Sequence, residues 1–118
     1  MAADGKLWRK NMCGFLRTLA DARFQRENWF GKGKYVSSPE EMYNELFSDF
    51  DIEQFLTSPQ VALTDDQRSA GKDLVAKLEA FDKAVGPDLI PEKVIDHPEW
   101  AKIRTAAQAF HKALGCGD

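Results

Sequence analysis

Apolar residues recur along this chain three and four positions apart, in nearly every stretch that glycine and proline leave intact. Between about Lys6 and Arg26, Trp8, Met12, Phe15, Leu19 and Ala22 follow this rhythm and Leu16 widens the stripe. Arg9, Arg17, Asp21 and Arg23 fall largely on other faces. That spacing gathers apolar side chains on one side of an α-helix and predicts a first helix over 6–26. ENWFGKGKYVS, residues 27–37, breaks the period at Gly31 and Gly33 and reads as a loop or a short irregular hairpin. Ser38 then has the marks of an N-cap, with Pro39 at the first helical position and Glu41 three residues after the serine. The helix it opens should turn Met42, Tyr43, Leu46, Phe47 and Phe50 inward. Asp51 would cap a short further piece ending near Leu56, and Ser58-Pro59 would stop it.

Thr64 and Gln67 form a capping-box pair at the head of the next helix, where Leu74, Leu78, Phe81 and Val85 share a face. Gly86-Pro87 supplies its end. Gly71, inside it, costs up to about 1 kcal/mol relative to alanine unless another backbone packs closely against it. PDLIPEKVIDHP, residues 87–98, is an irregular connector whose Leu89, Ile90, Val94 and Ile95 should plug the end of the core. His97-Pro98 opens the last helix, carrying Trp100, Ile103, Ala107, Phe110 and Leu114 on one face. Ala101, Ala106, Ala109 and Ala113 offer a neighbour close approach, and Gly115 ends the element. With no sustained two-residue alternation and no internal repeat, the pattern predicts an all-α fold. It would be an irregular bundle of four main helices plus one short helix, forming a single domain over 1–118.

A composition of 43% hydrophobic and 30% charged residues suits a globular chain and excludes a disordered one. Its length allows roughly two-thirds of the unfolded surface to be buried. Cys13 lies in an apolar periodic segment and Cys116 in a glycine-flanked tail far along the chain. No disulfide is therefore expected, and a reducing, cytoplasmic setting follows. MAADGKLWRK lacks an apolar signal region and no run approaches the length of a membrane span, so secretion by signal peptide and a membrane partner are not expected.

Charge changes the picture more. Residues 1–35 hold eight basic and three acidic side chains, residues 36–67 eight acidic and no basic ones, and residues 68–118 eight of each. EEMYNELFSDFDIEQFL, residues 40–56, packs six carboxylates without a Lys, Arg or His. Glu41, Glu45 and Asp49, four apart, form a row on one helix face. Like charges at that spacing cost roughly 0.2–0.5 kcal/mol per pair. Glu40 and Glu41 gain from the positive end of the helix dipole; Asp49 does not. Asp51 and Glu53 extend the neighbourhood, with Asp65 and Asp66 next in line.

The residues that do chemistry are sparse. His97 and His111 are the histidines; His97 has a role as a cap, and His111 should face solvent. Asp49, Asp51 and Glu53 begin like a calcium loop, but Gln54 and Gln60 stand where that loop needs glycine and glutamate. Zinc-binding pairs and a phosphate loop are absent, so no catalytic residue, metal or cofactor is assigned. Trp29, Phe30, Lys32, Lys34 and Tyr35 mix rings with cations as single-strand nucleic acid binders do. The overall acidity weighs against that use, and docking of the rings on the core is the simpler reading.

Two outcomes remain for the acidic stretch. The basic opening segment could fold back and neutralise it, or it could stay open to a basic protein partner. The second reading expects a non-enzymatic protein-binding module with Glu41, Glu45, Asp49, Asp51, Glu53 and Tyr43 as contact residues, and Phe47 and Phe55 as further aromatic anchors. Its physics is that of immunity or antitoxin-like inhibitors, which cover the basic site of an enzyme. The alternatives are an enzyme or enzyme subunit built on Cys13, His97 and His111, a nucleic-acid-binding helical domain, and a homo-oligomer joined through Trp8 or Trp29.

Overall fold

A computed structural model describes residues 3–30, 37–86 and 89–116, and every regular element among them is helical. In chain order these are α1 (Ala3–Leu19), α2 (Ala22–Asn28), α3 (Pro39–Phe47), α4 (Ile52–Thr57), α5 (Asp65–Val85), α6 (Pro91–Val94) and α7 (Pro98–Ala113). The fold is all-α, with α1, α3, α5 and α7 as the main helices. The broadest helix-to-helix contact joins α5 to α7, and α1 packs next against α7. One hydrophobic cluster draws on every element, with Leu16, Leu46, Phe55, Leu78, Trp100 and Phe110 among its fully buried members.

Most starts and stops follow the local signals. Ser38 Oγ accepts from the Glu41 N–H, and Thr64 and Gln67 close both halves of their capping box. Pro91 and Pro98 occupy first-turn positions of α6 and α7. Asp51 does stand at the N-cap of α4, yet its side chain makes no capping bond and its backbone is left-handed, with φ of 45°. The plug is supplied by buried Val94 and Ile95 and by Leu89, whereas Ile90 stays exposed. Of the alanines, Ala106 is buried beside Ala107, while Ala101 and Ala109 remain exposed.

The expected first helix is two helices. Asp21 takes an extended conformation (φ −103°, ψ 98°) and its carboxylate accepts from the Phe24 N–H, opening α2. Gln25, fully buried, stitches the break: its amide nitrogen donates to the carbonyls of Thr18 and Leu19 at 3.2 and 2.9 Å. Its amide oxygen accepts from Trp100 Nε1 at 3.0 Å and Arg104 at 3.2 Å. The end of α1 thus finds partners inside the protein, as buried backbone groups require. Periodicity carried the stripe through Asp21 because Ala22 kept the rhythm.

Gly71 has a packing reason. A Cβ there would collide with Leu56 Cδ2 and come within 2.9 Å of Phe110 Cζ, so α4 and α7 close onto α5 at this point. Side chains, not a neighbouring backbone, occupy the space.

The two cysteines overturn an expectation. Cys13 on α1 and Cys116 beyond α7 form a disulfide with their Cα atoms 5.6 Å apart, across a sequence separation of 103. The antiparallel-like return of α7 along α1 brings the two ends of the chain together, which spacing in sequence does not reveal. Among the described residues no helix is long and apolar enough to cross a membrane.

Candidate functional site

Helix α3 buries Met42 and Leu46 against the core and thereby turns the opposite side outward. Glu41, Asn44, Glu45, Ser48 and Asp49 line a shallow depression of about 260 Å³ on that side. Helical spacing places Glu41 and Glu45 one turn apart, and the turn after Phe47 brings Asp49 into the same row. Burial pushes the Glu45 carboxyl above the usual carboxylate range, and repulsion from Asp49 and Glu41 pushes the same way. Among the described residues, no cation counters that direction.

Among the described residues, none of Glu40, Glu41, Glu45, Asp49, Asp51 and Glu53 is in an ion pair. The described pairs lie elsewhere: Arg23–Glu27, Arg26–Asp96, Arg68–Asp65, Lys77–Asp73 and Lys102–Glu99. The opening helix does reach the acidic stretch, but through apolar and neutral contacts. Trp8 Nε1 donates to the Phe50 carbonyl at 2.8 Å, and the rings of Phe15 and Phe50 sit 4.6 Å apart. Arg9 spends its guanidinium on the carbonyls of Val61 and Leu114, at 3.1 and 3.3 Å. Among the described residues, back-folding therefore brings no ion pair to the acidic stretch.

The expected contact residues divide. Glu41, Glu45 and Asp49 are brought together. Tyr43 is half-buried on another side of α3, its ring 5.0 Å from that of Phe47. Its hydroxyl pKa is raised, first by burial and then by Asp82 and Glu79. Those two α5 carboxylates extend the acidic field across α3. The sequence hid them inside a charge-balanced segment, although their three-residue spacing sets them on one face of α5. Asp51 and Glu53 sit at the head of α4, outside the depression. Asp65 pairs with Arg68 at 3.3 Å. Phe55 is no surface anchor: it is fully buried between Trp8 and Phe110, at centroid distances of 5.4 and 6.1 Å.

His97 Nδ1 accepts from the Glu99 N–H at 3.1 Å and so caps α7. His111 departs from expectation, being half-buried with Nε2 sealed from solvent and without a hydrogen-bond partner. Among the described residues no group of three or more His, Cys, Asp or Glu side chains is arranged to hold a metal ion. Of the aromatic, basic loop, Trp29 is buried against Trp100 at 5.4 Å and Phe30 is exposed, while Lys32, Lys34 and Tyr35 lie outside the described residues.

A family model described as "Domain of unknown function (DUF7945)" matches residues 6–118. Neither the curated proteins nor the solved structures contain a match to the chain.

Proposed function

The chain belongs to that family of unknown function, and from its own surface we propose that it is a protein-binding module whose α3 face engages a basic partner. One observation carries the reading: Glu41, Glu45 and Asp49 stand in a row without an ion pair among the described residues, and the Glu45 pKa is raised first by burial and then by Asp49 and Glu41. Such a field costs the free protein repulsion that a cationic partner would relieve. Glu79 and Asp82 enlarge it, and Tyr43 and Phe47 place aromatic surface beside it. An inhibitor of immunity or antitoxin type, which covers a basic site on another protein, is the most concrete form of this proposal.

The rival enzyme built on Cys13 loses its nucleophile, because that sulfur is tied to Cys116. The cytoplasmic placement also loses the support that unpaired cysteines gave it, since disulfides persist mainly in oxidising compartments.

The test is to recover the protein with its native partner and measure their affinity by calorimetry before and after charge reversal. Glu41→Lys, Glu45→Lys and Asp49→Lys together should weaken binding at least tenfold, and raising salt from about 50 to about 300 mM should weaken the unaltered pair. Unchanged affinity in the triple variant removes the proposal.

A further inference from the structure

A second surface lies away from α3, where α1 breaks into α2 and the last turns of α7 pass alongside. It is an open cavity, facing solvent, of about 610 Å³ lined by Arg17, Asp21, Arg23, Gln108 and His111, together with Ala20 and Ala22. Its size falls within the range of small-ligand sites. We propose that this cavity is a binding site for a small oxyanion, a phosphoryl or carboxylate group, held by the Arg17 and Arg23 guanidinium groups.

Four observations bear on it. Arg17, exposed in the lining, has no ion pair or hydrogen bond among the described residues, so its guanidinium donors are uncommitted. Arg23 holds only Glu27, through Nε, in a pair whose side chains are 87% and 58% exposed. Such a pair is weak, and it leaves the terminal nitrogens open. The one carboxylate in the lining, Asp21, is occupied in capping α2 through the Phe24 N–H at 3.1 Å. The lining therefore holds two guanidinium groups and one carboxylate. Finally, His111 lines the same surface half-buried, with its Nε2 sealed from solvent and without a hydrogen-bond partner. The carboxamide of Gln108 adds a neutral donor beside the two guanidinium groups.

Planar guanidinium groups match the paired oxygens of carboxylate and phosphate, which is why this donor set selects oxyanions over neutral ligands. The walls are held at fixed separation. Cys13 lies one helical turn before Arg17, Cys116 donates its N–H to the His111 carbonyl at 3.4 Å, and the disulfide joins them. Gln25 pins the break that forms the floor between α1 and α2.

Titration of the intact, oxidised protein with inorganic phosphate and, separately, sodium acetate, followed by amide NMR at constant ionic strength, tests the site. Saturable shifts should cluster at residues 17–23 and 108–111, with a Kd on the order of 1 mM. Tighter phosphate binding assigns a phosphoryl ligand and tighter acetate binding a carboxylate; either supports the proposal. The Arg17→Gln/Arg23→Gln variant should bind at least tenfold more weakly, while Lys83→Gln/Lys93→Gln, with the same charge change elsewhere, should stay within twofold. Gln108→Glu, which adds a carboxylate at an exposed lining position, should abolish binding and provides a second route should the double variant misfold. Shifts that never saturate, or equal losses in both double variants, overturn the proposal.

Discussion

Removing the Cys13–Cys116 bridge is the perturbation whose size follows most directly from the structure. The bond closes a loop across 103 positions, nearly the whole chain, with Cα atoms 5.6 Å apart, a normal distance for a disulfide. Cross-linking residues so distant restricts the unfolded chain far more than the folded one. The loop-closure relation gives about 4.7 kcal/mol for a loop of this length, and losses on removing native bridges run at about 2–5 kcal/mol. That is a large share of the roughly 5–15 kcal/mol available to a domain of this size. An unfolding entropy near 2.1 cal/mol/K per residue converts the loss into a fall in Tm of about 8–19 °C. The folded state should survive it, because α7 remains anchored by fully buried Trp100, Ile103 and Phe110. Differential scanning calorimetry of the oxidised protein, the reduced protein and Cys13→Ala/Cys116→Ala should give one high and two matching low transitions. Intact mass should rise by two hydrogens on reduction. Transitions within about 3 °C of one another would refute the loop-closure argument, and an unchanged mass would refute the bridge itself.

Other perturbations probe the core and the acidic row. Gly71→Ala gains about 1 kcal/mol of helix propensity but forces Leu56 and Phe110 apart. Overpacking of a buried site costs about 1–3 kcal/mol, so urea denaturation should show a net loss, and a gain would contradict the tight α4–α5–α7 junction. Glu45, whose pKa is raised in the folded state, favours folding when protonated. Its contribution is full below the ordinary carboxylate pKa and is lost as pH rises through the raised one. Glu45→Gln should therefore be slightly more stable than the parent at neutral pH, by about 0.2–0.5 kcal/mol per repulsive pair removed. The difference should vanish at acidic pH; a destabilised variant at neutral pH would mean that Glu45 has an attractive partner.

Local signals located most elements because they act within a few residues. Ser38-Pro39, Thr64 with Gln67, and His97-Pro98 each solve the orphan N–H problem of one helix end, and each did so where the residue types demanded. The split after Leu19 was illegible for the converse reason. Asp21 looks like any surface acid until Gln25 is seen bonded to the carbonyls of Thr18 and Leu19. Phe55 reads as a surface ring from its acidic neighbours in sequence, whereas its burial depends on Trp8 and Phe110 from distant helices.

The acidic row divides in the same way. Four-residue spacing placed Glu41 and Glu45 on one side of a helix, and no long-range knowledge was needed for that. Whether Arg9 would meet them depended on where α1 crosses the body, and it crosses with Arg9 directed to Val61 and Leu114 instead. Helical content, caps and the inward stripe were set by the sequence alone, since backbone geometry couples residues one turn apart. The disulfide, the carboxylates added by α5, the sealed His111 and the arginine-lined cavity were decided by tertiary packing. Each joins residues from separate helices, and only burial of the apolar stripes fixes how those helices meet.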